Sequence, residues 1–593
     1  MSRTNRGVSA VWDSAAALFR PLRGRLGAES MQLVVPAIVV GLGAGLAAVA
    51  FRWLITGATW IFTGTLDYSA THGNPASPWV PWLGGAFVIF APAIGGLLYG
   101  PLVNRFAPEA RGHGVPEVMF AVAKRGGRIR GSVAVVKALA SAICIGSGGS
   151  VGREGPIVQI GSALGSTLGR VLRMPESRLR TLVACGAAGG IAATFNAPIA
   201  GVFFALELLL RDFAASSFGA VVLASVTASV VGRSLLGNHP FLHLPNFSIV
   251  NPWQYLLFAV LGLVAGLTGV GFSKVLYLVE DFCDWAWRGP EWLRPVVGGL
   301  VLGGLLFVLP QMYGVGYPVL QIGASGGYAL GFLLILLVGK ILAASLTIGI
   351  GGSGGVFAPS LFIGAMLGAG FGEIIGSIYP ALACQTGAFA LVGMGAVFAG
   401  ATRAPITAAI ILFELTGDYS IILPLLLAVV VATGVSKAIS KDTIYTLKLI
   451  RRGVDLEQPT GSSVLGSMTV AGAMVATPTP LLDSVPASDG IETLLKSGRQ
   501  ALPIIQSSGG YAGVLTRRAA TAAMNADEDL GSLTVGDIMD VLPSVASTED
   551  LERALDAVLE SGDSDGIPVV DPGGLLCGWL PQDAILRALA AGR

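Results

Sequence analysis

Charge is scarce in this chain. Only 12% of its 593 residues are Asp, Glu, Lys or Arg, where a soluble protein carries about 25%. With 53% hydrophobic residues, that excludes a wholly soluble fold and points to a multi-span membrane protein with the lipid bilayer around it. Histidine is scarcer still, at four residues, and the five cysteines (Cys144, Cys185, Cys283, Cys384, Cys577) are scattered. Neither type has paired metal-ligand spacing, so no metal site is expected, and most of the cysteines read as small core residues. No base–nucleophile set occurs, which argues against an enzyme, and no cofactor is implied. A net charge of +1 offers no basic surface and so no nucleic-acid partner.

What the chain has in excess is glycine, 83 residues, roughly twice the usual share. Glycine lets membrane helices pack closely and also breaks them. The stretch Gly146-Ser-Gly-Gly-Ser-Val-Gly-Arg-Glu-Gly-Pro156 does so inside a long apolar region. Broken backbone at membrane depth is tolerated only where protein or a watery cavity supplies hydrogen bonds. An ionisable residue there marks a functional site. The spacing therefore predicts a helix over 155–172 with Glu154 at its mouth. Bare amides at a helix start favour an anion. Glu154 can be that anion, and an ion from solution can compete with it, which amounts to a gate. The plainer alternative has Glu154 capping its own helix and pairing with Arg153, although caps favour Asp, Ser or Asn over Glu.

Basic residues cluster at 1–26, 105–130 and 170–180, while 65–84 carries none and 235–252 none after Arg233. The positive-inside tendency puts the first three on the cytoplasmic side and the last two outside. Residues 1–30 read as a cytoplasmic lead-in, with no signal-peptide core. Fourteen apolar segments follow between 31 and 438. Several are far shorter than the roughly 20 residues a span needs.

Two halves, about 84–236 and 293–440, repeat. Lys137 and Lys340 each precede a proline, Pro156 and Pro359, by nineteen residues, with Gly146 and Gly349 at the ninth step. The breaks Gly152-Arg-Glu-Gly-Pro156 and Gly355-Val-Phe-Ala-Pro359 correspond. Gly186–Leu208 aligns without a gap on Gly393–Leu415, matching Pro198 with Pro405 and Glu207 with Glu414. Interrupted segments in matching places of two halves mark a transport site, usually between inverted repeats. The two breaks are then expected to converge, with the amides of Val356 and Phe357 facing a common anion.

These residues resemble the CLC chloride channel and transporter family, through GREGP at 152–156, GVFAP at 355–359 and the Gly-x-Gly-x-Pro stretch Gly112-His-Gly-Val-Pro116 followed by Glu117. Tyr445 fits the family's pore tyrosine. The resemblance implies a homodimer with one pathway per subunit for chloride or a similar small anion. Glu154 would be the gating glutamate. His113, Gly114, Gly155, Val356, Phe357 and Tyr445 would contact the anion, within a motif frame that includes Gly112, Pro116, Gly152, Arg153, Pro156, Gly355 and Pro359. Tyr445 could instead be an interfacial anchor beside Lys441 and Lys448. Two positions depart from the pattern. His113 stands where many members have serine. Protonated, it would put positive charge beside the anion and make conduction acid-sensitive; turned aside, it would bond a backbone carbonyl. Leu208 stands where proton-coupled members often carry an inner glutamate, and leucine carries no proton. Glu207 and Glu414 also have a plain reading, as carboxylates satisfying helix ends.

After a linker at 456–468 the composition becomes that of a soluble α/β region. Residues 469–525 and 533–591 repeat: Ala501-Leu-Pro-Ile-Ile505 echoes Gly566-Ile-Pro-Val-Val570, and Gly513-Val-Leu echoes Gly578-Trp-Leu. This resembles a CBS-domain pair. Gly513 and Thr516 are candidate contacts for an adenine nucleotide, but Ala520 stands where an acid would hold the ribose; the alternative is a dimerisation and coupling module. The expected protein is thus mainly α, a polytopic membrane domain (31–455) of two related halves with short broken helices, plus a cytoplasmic α/β CBS pair, in the cell membrane. Its leading expected function is a passive chloride channel gated by Glu154, with Leu208 tilting against the alternative, a chloride/proton antiporter. A CBS-bearing cation transporter is remote, because cation sites want clustered oxygens.

Overall fold

The structure, a computed structural model, describes residues 28–71, 73, 75–237, 251–380, 386–454, 465, 468–526, 530–561 and 564–591. The basic lead-in before residue 28, Cys384, most of the 235–252 loop and most of the 456–468 linker lie outside the described residues. The chain divides into two compact units, Met1–Asp455 and Leu456–Arg593.

In the first unit the helices fall into two series of eight among the described residues. The first is α1 (Ala28–Thr63), α2 (Phe87–Phe106), α3 (Val115–Lys124), α4 (Ser132–Gly146), α5 (Glu154–Val171), α6 (Glu176–Phe195), α7 (Pro198–Phe204) and α8 (Ala215–Leu236). The second is α9 (Gln254–Ala286), α10 (Arg294–Val308), α11 (Tyr317–Ala324), α12 (Leu330–Gly349), α13 (Phe357–Ile378), α14 (Thr386–Thr402), α15 (Pro405–Thr416) and α16 (Ile422–Ile439). Each helix has its counterpart eight places on. A short helix, α17 (Thr446–Ile450), follows Tyr445. Seven helices of the described chain are long and apolar enough to cross a membrane. The remaining apolar helices are the short ones, as the interrupted segments required.

Sequence accounts for the starts and stops. Pro116, Pro156, Pro198, Pro318, Pro359 and Pro405 all lie in first turns, where a missing N–H costs nothing. Asn196 and Arg403, repeat-equivalent residues just before Pro198 and Pro405, both take left-handed backbone angles, φ 58° and 56°. Small residues let helices close up: an added Cβ at Gly161 would stand 2.1 Å from the Gly186 carbonyl oxygen, and one at Gly368 2.0 Å from that of Phe389. These contacts pack α5 on α6 and α13 on α14, equivalent pairs in the two halves.

The halves also exchange caps. Glu207 lies on a π-helical turn, Ala205–Leu210, that continues α7. It accepts the N–H groups of Ile406 (3.1 Å) and Thr407 (2.8 Å) and the Thr407 hydroxyl at the start of α15. Glu414, on α15, accepts the N–H groups of Ile199 (3.0 Å) and Ala200 (2.7 Å) at the start of α7. The plain reading of both carboxylates as helix-end partners is correct, but each serves the other repeat.

The second unit holds two three-stranded sheets, β1-β2-β3 and β4-β5-β6. They are β1 (Leu481–Leu482), β2 (Ala501–Ile505), β3 (Tyr511–Thr516), β4 (Val545–Ala546), β5 (Gly566–Val570) and β6 (Leu576–Pro581). In each sheet the first pair is parallel and the second antiparallel, with matching registers Ile504↔Gly513 and Val569↔Gly578 and a bulge one residue on. The copies trade leading segments. Val470 packs in the core under β5, and Val535 in the core under β2, so the two repeats read at 469–525 and 533–591 are interlocked.

Candidate functional site: an anion junction

Three glycine-rich loops are stitched together by backbone hydrogen bonds. Gly152 and Gly355 exchange both N–H···O bonds, at 2.7 and 2.6 Å, as an antiparallel pair. Gly112 donates to Gly352 (3.0 Å), and Gly354 donates to Gly112 (3.3 Å). The approach is too close for side chains. A Cβ at Gly155 would stand 2.0 Å from the His113 carbonyl oxygen and 2.9 Å from Gly355 Cα. Gly114, at φ +84°, would put one 2.7 Å from the Gly155 oxygen.

Two lysines fix the loops. Lys137 Nζ donates to the carbonyls of Ala110 (2.9 Å) and Gly112 (2.7 Å). Lys340 Nζ donates to Gly314 (3.2 Å), Val315 (3.1 Å) and the Ser150 hydroxyl (2.9 Å). Both lysines are fully buried, so they hold turns whose carbonyls lack helical partners. Lys340 also reveals a repeat that sequence reading passed over: Gly314-Val-Gly-Tyr-Pro318 is the second half's counterpart of Gly112-His-Gly-Val-Pro116. Its Gly-x-Gly-x-Pro spacing was a legible signal.

That second loop delivers Tyr317, the first residue of α11. Its hydroxyl donates to Glu154 Oε1. Glu154 is the first residue of α5, with Arg153 at the cap position, so the helix begins one residue earlier than expected and ends at Val171. The carboxylate is 1% exposed, and Oε2 has no hydrogen-bond partner. An added Cβ at Gly152 would meet that oxygen at 2.0 Å and the Ala358 amide nitrogen at 3.2 Å. The carboxylate is therefore folded back towards the first turn of α13. Val356 and Phe357 stand at the cap and first positions of that helix, where geometry gives their amides no carbonyl four residues back.

The starts of α5, α11 and α13 thus meet at one carboxylate, with the start of α3 packed on α5 at Gly155, and a helix start carries about half a positive charge. Tyr445 is buried at the start of α17, within electrostatic reach of Glu154. Its segment is pinned by Ile444 N–H on Ala401 O (3.0 Å) and by the Tyr277 hydroxyl on Ile444 O (2.6 Å). The interfacial-anchor alternative for Tyr445 does not fit its burial. His113 is wholly buried, and neither ring nitrogen has a hydrogen-bond partner. It lies edge-on to Tyr277 at 6.2 Å, so the expected alternative of a backbone-carbonyl bond is not what it does. Leu208 is buried on the π-helical turn beside Glu207.

A cavity of about 580 Å³ reaches the other side of Tyr317. Arg52, Arg153 and Arg233 line it against one carboxylate, Asp67. In the second unit, the Thr516 hydroxyl caps the helix Arg517–Asn525 and also donates to Asp540 at 2.5 Å. Gly513 packs against Met539. Both candidate nucleotide contacts therefore already have protein partners.

Paired broken helices whose starts converge on a buried carboxylate define a membrane transport protein for small anions. The family described as voltage gated chloride channel matches residues 95–437, and the CBS domain family matches 535–591. The chain belongs to the CLC family. It is 34% identical over 433 residues to a putative chloride channel protein ClcB-like of Ralstonia nicotianae, spanning 72% of this chain and 98% of the relative. It is 36% identical over 357 residues to the H(+)/Cl(-) exchange transporter ClcA of Vibrio campbellii, 59% of this chain and 76% of the relative. The ClcA of Yersinia pseudotuberculosis is 33% identical over 437 residues, 72% and 89%. Among solved structures, a slow cyanobacterial Cl-/H+ antiporter superposes with TM-score 0.62 at 26% identity, over 71% of this chain and 97% of that one. A eukaryotic CLC transporter shares the fold over 93% of this chain and 98% of its own, with TM-score 0.59 at 22% identity. Of these relatives, two are named as H(+)/Cl(-) exchange transporters and one as a putative chloride channel protein.

Proposed function

We propose that the protein exchanges chloride for protons across a cell membrane, with Glu154 as the shared gate. The observation that carries this reading is the Glu154 carboxylate, buried among converging helix starts with one oxygen on Tyr317 and the other unpartnered. A carboxylate in that berth mimics the transported ion. When an anion from solution takes the berth, Glu154 must leave it, and the 580 Å³ cavity behind Tyr317 is the space available. A proton picked up there neutralises Glu154 and removes its attraction to the amides. Its return then carries the proton inward while the anion moves outward. The arginines lining the cavity concentrate anions at its mouth. Backbone amides and the Tyr445 hydroxyl bind the ion without trapping it behind a full charge.

The functional unit in this reading is a homodimer with one pathway per subunit, and the N-terminus and CBS pair face the cytoplasm. A passive channel is the second reading, favoured by the apolar Leu208. Purified protein in chloride-loaded liposomes separates the two: an outward chloride gradient should drive protons inward against their own gradient. Chloride efflux with no uphill proton movement would leave only the channel.

A further inference from the structure

We propose that Arg403 is a positioning residue for transport: by tying the segment 440–444 to the end of α14, it fixes where the Tyr445 hydroxyl stands relative to the Phe357 amide. This rests on the transport reading above, with Tyr445 and Phe357 as anion contacts, and adds to it the residue that sets their spacing.

Arg403 directly follows α14 and is half-buried. Its guanidinium donates to the carbonyls of Lys441 (2.8 Å), Ser436 (3.1 Å) and Ser440, and reaches that of Asp442 at 3.5 Å. These carbonyls lie in the last turn of α16 and just beyond it, where helical partners run out and the dipole is negative. A planar fork of N–H groups suits several acceptors at once. Two residues earlier, the Ala401 carbonyl accepts the Ile444 N–H (3.0 Å), so the end of α14 grips the segment on both sides of its turn. Tyr445 comes next and is buried. Further back on α14, the Phe398 ring lies 4.4 Å from that of Phe357. The stretch 398–403 therefore touches the supports of both candidate anion contacts.

The first half shows what the arginine is for. Its equivalent there, Asn196, takes the same left-handed backbone conformation. Asparagine tolerates that conformation, whereas arginine is strained in it. Asn196 accepts from the Arg233 guanidinium and lines the 580 Å³ cavity. The second half thus carries the residue less suited to the backbone. What offsets the strain is the set of carbonyl contacts, which the shorter asparagine does not reach.

The test measures chloride flux against chloride concentration for the full-length protein in liposomes. It compares wild type, Arg403→Asn, Arg403→Lys, Tyr445→Phe and the double variant Arg403→Asn with Tyr445→Phe. Arg403→Asn installs the residue of the other repeat, so it relieves the backbone while removing the clamp. We expect it to raise the half-saturating chloride concentration about three- to tenfold, the range of one hydrogen bond, with a smaller change in maximal rate. Arg403→Lys keeps the charge but not the fork, and should raise half-saturation by about twofold or more. Tyr445→Phe should raise it by as much as Arg403→Asn. Adding Arg403→Asn to Tyr445→Phe should then change it by less than about twofold, because no hydroxyl is left to misplace. A loss of stability alone would lower the amount of active protein and so the maximal rate, not half-saturation. Wild-type half-saturation in a folded Arg403 variant, or a full-sized Arg403→Asn effect in the Tyr445→Phe background, would overturn the proposal. Absence of chloride flux in wild-type liposomes would overturn the transport reading instead.

Discussion

Glu207 caps the helix that begins at Pro405, and Glu414 caps the helix that begins at Pro198. A reciprocal exchange of this kind requires a two-fold relation between the halves, since the same contact is made in both directions. The antiparallel pairing of Gly152 with Gly355 adds that equivalent segments run oppositely where they meet. The inverted arrangement expected from the sequence agrees with these two contacts. Glu207→Ala and Glu414→Ala should each remove a helix cap and cost about 1–2 kcal/mol of stability. The near-equality of the two losses is the informative part, read as matched falls in unfolding midpoint in detergent. A loss confined to one of them would mean the caps are not equivalent.

Glu154→Gln keeps the size of the side chain and removes its charge and its proton. We expect chloride flux to persist, proton movement to stop, and the flux to lose the part of its pH dependence that comes from this group. The sign follows from the gate: in wild type, acid neutralises the carboxylate, frees the berth and raises flux, whereas glutamine behaves as if always protonated. Parallel pH profiles for mutant and wild type would remove Glu154 from the gating role.

The CBS pair should not respond to adenine nucleotide. The Thr516 hydroxyl is already given to Asp540, the Arg518 guanidinium also reaches Asp540, at 3.2 Å, and Ala520 offers no acceptor to a ribose. Millimolar ATP, ADP or AMP should leave the melting temperature of the full chain within about 1 °C, because ligand at a large excess over its dissociation constant would stabilise by several kcal/mol. A dose-dependent rise of several degrees would reinstate the nucleotide site.

Much of this was legible in the sequence because glycine, proline and lysine recur at fixed intervals. The helix spans followed from apolar runs, the two halves from the Lys137/Lys340 spacing, and the junction from GREGP and GVFAP. What stayed hidden lies in long-range contacts. Nothing in the neighbourhood of Glu207 says that its partners sit 199 and 200 residues away. The helices α3 and α11 were missed because ten and eight residues are too few to show a helical period. With α11 went Tyr317, whose loop repeats the Gly112–Pro116 spacing but shares only the glycines and the proline. Leu208 leans towards a channel for a related reason: it is one position, weighed without the rest of the chain's likeness to relatives named as exchangers.

Tyr317 gives the most direct test of the gating role proposed for Glu154. Its hydroxyl donates to Glu154 Oε1 while its ring lies 5.3 Å from the Arg153 guanidinium carbon. Removing only the hydroxyl, in Tyr317→Phe, leaves the ring and its packing but takes one donor from the buried carboxylate. A hydrogen bond to a charged group contributes about 1.5–3 kcal/mol, so the closed position should be weakened by roughly tenfold or more in equilibrium terms. Chloride flux at neutral pH should rise, by less than that factor if ion release limits turnover, and the proton-to-chloride ratio should fall. The effect must act through Glu154. In a Glu154→Ala background, where no carboxylate waits in the berth, Tyr317→Phe should change flux by less than twofold. A full-sized effect in that background would show that Tyr317 touches the ion itself rather than its competitor.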